Sequence, residues 1–492
     1  MSAPTTVTRK SVGLRSERGP LLGALMLATA LVALDSTIIA TAVPSIVKDL
    51  GGFSQFPWLF SIYLLAQAVS TPVYGRLSDV LGRKPIMLAG IGVFLVGSVL
   101  CGIAWSMPVL IVCRALQGLG AGAVLPMSNT IAGDVYTLAE RAKVQGYLAS
   151  VWGVASVVGP TLGGAFSEYG TWRWIFWVNI PLGLIAVLVL HRTFAEQVVR
   201  KQGVIDYPGA ALLSGGCALL ILGLLEGGEA WAWTSVPSVA ALAGGTALVV
   251  GFVLVERRVP APILPLWVFT RRVLLASSLV AVAVGAIVLG LTSYVPTFAQ
   301  GAAGAGPITA GFTLATLTVG WPLAAAQSGR MYLRIGFRRT ALVGCVLTVA
   351  GTVLVALATA RQDGLLAIAA ACFIVGTGLG LVASPTLIAA QSSVGWAERG
   401  VVTGNNLFAR SLGSALAVAA FGAVANAVLD GRRPTGQVLT DASTAVFTGV
   451  AAVAVVMVAA VATMPRGASA TMLGDPAAAP ADVPAEHSTS AS

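Results

Sequence analysis

Long apolar runs recur along almost the whole 492-residue chain, and no other feature constrains its fold as strongly. A lipid-spanning helix needs about 20 such residues in succession, and a water-soluble domain cannot hide so many. Runs bounded by charges, Pro or Gly fall near 21–43, 56–75, 86–105, 108–130, 144–166, 174–190, 207–225 and 235–255. Six more fall near 273–298, 308–328, 340–360, 364–388, 402–427 and 444–464. The pattern predicts an all-α integral membrane protein of fourteen transmembrane helices. Composition agrees, with 57% of residues apolar and only 10% charged, against roughly 25% charged in ordinary soluble proteins. The stretch Leu21 to Val43 follows several basic residues as a signal peptide would. It is too long for one and carries Asp35, so it reads as a retained first span.

The basic residues set the orientation. Most of the 29 Lys and Arg fall on the side that would hold both termini, among them Arg18, Arg76, Arg83, Lys84, Arg141, Arg192, Arg257, Arg330, Arg338 and Arg399. The other side carries only Lys48, Arg173, Arg361, Arg432 and Arg433. Both termini are therefore expected in the cytoplasm, in a multi-pass protein of the cell (plasma or inner) membrane. The net charge of +10 suits an anionic inner membrane surface; it does not collect into a face that would bind nucleic acid.

An internal repeat divides the chain. Gly75-Arg76-Leu77-Ser78-Asp79-Val80-Leu81-Gly82-Arg83-Lys84 recurs 254 residues later as Gly329 to Arg338, and Glu140-Arg141 recurs at Glu398-Arg399. The expected organisation is a tail (1–20), a six-helix bundle (21–190), a cytoplasmic loop (191–206), two additional helices (207–255), a second loop (256–272), a second six-helix bundle (273–464) and a disordered tail (465–492).

Several classes of chemistry lack material. No hydrophilic segment is long enough for a catalytic domain, and there is no phosphate-loop motif, so neither an enzyme nor a requirement for an ATP-binding subunit is expected. Gly118, Gly120 and Gly122, like Gly376, Gly378 and Gly380, lie within spans and suit close helix packing. With two histidines, neither mid-membrane, a metal site has no ligands. The five cysteines sit in apolar runs as small buried hydrophobes. No cofactor is expected.

Asp35 is the sharpest signal, because a carboxylate deep in a span costs about 3 kcal/mol or more unless paired or hydrated. Arg114 is its expected partner: on oppositely directed helices the two fall roughly 9–12 Å below the same boundary at 1.5 Å per residue. Such a pair is either a fixed bridge or a switch, since a proton on Asp35 frees Arg114. Arg410, following Asn405 and Asn406, is the other intramembrane charge; these groups line a path or satisfy one another. In the segment Gly75, Arg76, Asp79, Gly82, Arg83, Lys84, the glycines allow a tight turn and Asp79 suits the start of span 3. The basic residues there anchor topology and brace helix ends. The second copy has Leu333 in place of Asp79, so only the first forms an acid latch. In span 5, Gly153, Gly159, Pro160, Gly163 and Gly164 predict a bend and tight packing. Tyr63, Gln67, Gln117, Asn129, Trp152 and Tyr294 are further candidates to line a cavity.

These motifs together resemble the major facilitator superfamily, and within it the fourteen-spanner drug:proton antiporters. Gly75–Lys84 is similar to the signature between spans 2 and 3, Leu110–Gly122 to the span-4 motif, and Gly153–Gly164 to the antiporter motif of span 5. Leu34-Asp35-Ser36-Thr37-Ile38 and Trp172–Pro181 resemble marks of that branch. Ala40-Thr41 departs from the commoner Asn-Val. The resemblance implies a proton-coupling role for Asp35 and Arg114, a cytoplasmic gate at the Asp79 segment, and an antiport role for span 5. The expected activity is proton-driven export of hydrophobic drugs or antibiotics by alternating access, with neutral, zwitterionic or weakly acidic cargo favoured over dications. Two rival expectations are a dedicated exporter of an endogenous lipid or secondary metabolite, and a non-transporting sensor or scaffold. The lipid bilayer and small hydrophobic substrates are the expected partners of a monomer.

Overall fold

The computed structural model describes residues 12–51, 55, 58–196, 206–227, 231–259, 267–429 and 436–465. Among them every element is helical: α1 (Gly19–Leu50), α2 (Trp58–Leu81), α3 (Arg83–Gly102), α4 (Met107–Val135), α5 (Leu138–Tyr169), α6 (Trp174–Trp177), α7 (Asn179–Thr193) and α8 (Tyr207–Glu226). They continue with α9 (Val236–Glu256), α10 (Trp267–Thr270), α11 (Arg272–Gly301), α12 (Pro307–Ile335), α13 (Phe337–Arg361) and α14 (Leu365–Ser392). A 3-10 turn (Trp396–Glu398) precedes α15 (Arg399–Leu429) and α16 (Gly436–Ala462).

Each apolar run of the sequence coincides with a helix, but the helices outrun the apolar segments. The fifth run, 144–166, becomes α5 from Leu138, because Thr137 and Glu140 form a capping box that satisfies its first amides. The sixth run is broken into α6 and α7, where Pro181 has no N–H to offer the Trp177 carbonyl. Eleven stretches among the described residues are long and apolar enough to cross a membrane, and α8 is apolar over the shorter Pro208–Leu224. The helices α2 and α12 are not among those eleven, being richer in polar residues such as Gln67, Arg76 and Asp79 of α2 and Gln327, Arg330 and Arg334 of α12. Residues 1–11 and 466–492 of the expected tails, and 197–205 and 260–266 of the expected loops, lie outside the described residues.

The repeat is visible in the packing. In the N-terminal half α1 packs on α5 and α7, while α4 packs between α2 and α3; in the C-terminal half α11 packs on α15 and α16, while α14 packs between α12 and α13. The glycines of α4 and α14 permit this. A Cβ on Gly118 would meet the Tyr63 carbonyl of α2, and one on Gly120 the backbone of α3. Gly376 and Gly380 approach α12, and Gly378 approaches α13. The halves meet along two seams, α2 with α15 and α5 with α12. The hairpin of α8 and α9 lies against the first, with Leu213 and Cys217 packed among Val401, Val402 and Phe408.

Candidate functional site

At mid-depth in the N-terminal half, Asp35 and Arg114 are sealed from solvent, at 2% and 1% exposure. Arg114 Nη1 donates to Asp35 Oδ2 at 2.6 Å and to Gln117 Oε1 at 2.7 Å, and Arg114 Nε donates to the Leu59 carbonyl at 3.2 Å. The other carboxylate oxygen accepts from Gln117 Nε2 at 2.8 Å and from Asn179 Nδ2 at 3.2 Å. Both amides also donate to the Ser98 hydroxyl. The guanidinium lies 4.1 Å from the centre of the Tyr63 ring, a cation–π contact strengthened by exclusion of water. Five helices thus converge on one carboxylate. A proton arriving there removes the charge that holds Arg114, Gln117 and Asn179 together.

The face that gathers the basic residues carries a second network. Arg83, fully buried, donates through Nη2 to Asp79 Oδ1 at 2.8 Å and through Nε to Asp134 Oδ2 at 3.0 Å. Asp134 in turn pairs with Arg399 of the other half at 2.9 Å. Arg83 also donates to the Trp396 carbonyl at 2.6 Å, its guanidinium 3.9 Å from that indole. Asp79 differs from the sequence expectation. It ends α2 and caps the N-terminus of α15, accepting from the amides of Gly400 at 2.9 Å and Val401 at 2.8 Å. The start of α3 is capped instead by Glu196, which accepts from the amides of Arg83 and Lys84. Lys84 Nζ donates to the carbonyls of His191 and Phe194, bracing the end of α7.

Only one glycine of this segment serves the turn. Gly82 adopts φ 102°, as its repeat partner Gly336 adopts φ 83°. Gly75 lies inside α2 and lets the halves touch: a Cβ there would stand 2.7 Å from the Gly400 carbonyl. Arg76 is half-buried on the same helix. In α5, Gly153 faces the Thr318 carbonyl across the second seam, whereas Gly159 faces Thr37 of α1. Gly163 is buried, Gly164 has open space, and of Pro160 only the helical backbone is described.

The candidate lining residues separate into two groups. Tyr63 and Gln117 belong to the sealed Asp35 cluster, and Asn405 is buried with its amide on Ser278 of α11 at 2.7 Å, so these three do not line open space as expected. The reason is physical: the two amides find partners within their own half, and the Tyr63 ring is covered by the Arg114 guanidinium. Asn406 donates to Ser277. Gln67, Trp152, Tyr294 and Arg410 are half-buried, as is Asn129, which accepts from Gln145 and through its carbonyl from Gln391 of the other half. Three contributors gave no sequence signal strong enough to name them. Ser98 is one hydroxyl in an apolar helix, while Asn179 and Glu196 act through partners distant in sequence.

Among the described residues, hydrogen bonds between the halves cluster at the basic face and run no further than Ser156 with Thr318 at mid-depth. At the opposite face, among the described residues, polar contacts stay within a half. There Asp49 accepts from Arg173 at 2.6 Å and from Trp172 at 3.0 Å, and these bonds hold its carboxyl below the ordinary carboxylate range.

Two repeat-related helical halves that meet around mid-depth charges are the architecture of a secondary membrane transporter. The chain belongs to the Major Facilitator Superfamily, whose family model matches residues 25–418. It is 33% identical to the multidrug transporter protein MdtP of Bacillus subtilis over 87% of this chain and 78% of that protein. It is equally similar to multidrug resistance protein 3 of the same organism, over 82% and 78%. Among solved structures, the human organic anion transporter MFSD10 superposes with a TM-score of 0.65 at 14% identity, covering 91% of this chain and all of that one. The proton:xylose symporter XylE superposes with a TM-score of 0.62 at 13% identity, over 89% and 94%.

Proposed function

We propose that this transporter exports hydrophobic drugs or antibiotics in exchange for protons, and that Asp35 is the group that takes the proton. The observation that carries the reading is the sealed Asp35–Arg114 pair with its amides at 2.7–3.2 Å. Protonation removes the attraction on which the cluster depends, so proton binding and helix arrangement are linked. The similarity to two multidrug proteins supports the cargo class.

In this reading the chain crosses the cell membrane fourteen times, as the fourteen-spanner branch does, with the basic face and both termini in the cytoplasm. Arg83, Asp79, Asp134 and Arg399 then form the cytoplasmic gate, and the structure corresponds to the outward-open state. Protonation of Asp35 from outside loosens Arg114 and favours cargo release; proton loss to the cytoplasm resets the pump. Span 5 serves the exchange by packing on α1 through Gly159 and on α12 through Gly153. The protein works as a monomer and needs neither cofactor nor ATP-binding subunit.

Reconstituted protein with a pH dye inside the vesicles tests this. Addition of a transported drug is expected to move protons across the membrane, and a compound panel on a pump-deleted strain identifies which drugs. Drug flux with no proton movement at any pH gradient would overturn the proposal.

A further inference from the structure

Arg410 stands apart from every other deep charge. No hydrogen bond or ion pair joins its side chain to any described residue, whereas Arg114, the other arginine deep within a span, is fully engaged. Its depth is fixed independently: it lies eleven residues into α15, about 16 Å from the basic end at 1.5 Å per residue. Its own carbonyl is held against Gly285 of α11, where a Cβ would stand 2.0 Å away.

Helical spacing shows where the side chain looks. Thr403, Leu407, Arg410 and Ser414 recur at i, i+4, i+7 and i+11, one stripe of α15. The Thr403 end of that stripe accepts from Gln391 Nε2 of α14 at 2.9 Å, and the same amide nitrogen reaches the Asn129 carbonyl of α4 at 3.3 Å. The Thr403 end of the stripe therefore faces the space between the halves, whereas Ser414 at its far end donates to the Gly285 carbonyl of α11 at 3.1 Å. Arg410, two turns beyond Thr403, lies between those ends and is half-buried. The neighbouring amides are not available to it, since Asn405 and Asn406 are bound to Ser278 and Ser277.

A guanidinium unpaired in a membrane interior is expensive, and an anion repays that cost through two parallel N–H donors. The deep charges of α1, α4 and α15 are Asp35 and Arg114, which cancel, and Arg410, which does not. We infer that Arg410 is the cargo-binding cation, and that the preferred cargo is an amphipathic monoanion whose carboxylate, sulfonate or phosphate pairs with it. This rests on the exporter reading above and names its substrate class. A cation entering the same space meets a like charge and no free acid.

Two dyes of one skeleton test it: 8-anilino-1-naphthalenesulfonate carries the anion, and N-phenyl-1-naphthylamine lacks it. Saturable binding of each is measured on the full chain in nanodiscs of zwitterionic lipid, for the native protein, Arg410→Gln and Arg410→Lys. The native protein is expected to bind the sulfonate at least tenfold more tightly than the neutral dye. Arg410→Gln should erase that preference while keeping its affinity for the neutral dye, which reports an intact fold. Arg410→Lys should retain part of it. Equal affinities in the native protein, absence of saturable sulfonate binding, or a preference that survives Arg410→Gln would overturn the inference. Proton movement with neither dye nor drug would sink the exporter reading instead, because the binding assay needs no proton coupling.

Discussion

The two halves share one helical plan and differ in what they do with charge. The N-terminal half buries an acid and a base together and surrounds them with amides, whereas the C-terminal half leaves Arg410 without a partner among the described residues. The same inequality recurs at the basic face. Asp79 of the first repeat caps α15 across the seam; its counterpart in the second repeat is Leu333, 42% exposed, and α5 is capped by its own Thr137 and Glu140. Symmetry therefore supplies the scaffold and the seams. The buried acid–base pair and the acid latch are each placed once, in the N-terminal half, without a copy across the pseudo-twofold. A seam closed by a charged group from the other half can be opened by altering that group, while a self-capped helix end offers no such handle.

This contrast can be broken at several points. Asp79→Asn should act most strongly, because it removes charge from two bonds to α15 and from fully buried Arg83, at about 1.5–3 kcal/mol per charged bond. Maleimide labelling of a cysteine placed at Ser392, which bonds Arg141 at the basic face, should rise tenfold or more; unchanged labelling would contradict the latch. Gly75→Ala comes next, at roughly 1–3 kcal/mol, since its methyl meets backbone at 2.7 Å. Gly329→Ala, whose methyl meets the Ala142 side chain, should cost less in a thermal-stability assay. Tyr332→Phe removes a hydroxyl bond to the Leu138 carbonyl and should cost about 1 kcal/mol in the same assay. Leu333→Asp should change labelling least, within about 0.5 kcal/mol, since no uncapped helix end awaits the new acid.

Much of this was legible in the residues. Period and length located every long helix but neither the break between α6 and α7 nor the short α10 inside the expected loop, and the matched depths of Asp35 and Arg114 anticipated their 2.6 Å contact. Leu333 in place of Asp79 already announced that the second repeat lacks the acid latch. What escaped was pairing between segments far apart in sequence. Asp79 sits beside the start of α3, yet its partners are the amides of α15, and a distant Glu196 takes the place expected of it. The lining residues failed for a related reason, since polarity within a span marks Tyr63, Gln117 and Asn405 as needing partners but not which half supplies them.

The central claim is tested most directly by Asp35→Asn in proteoliposomes under an imposed pH gradient, with Asp35→Glu alongside. The account predicts that the Asn variant binds drug but neither exchanges it for protons nor concentrates it against a gradient, and that Glu restores part of the exchange. Drug-for-proton exchange at the native rate in Asp35→Asn would contradict it.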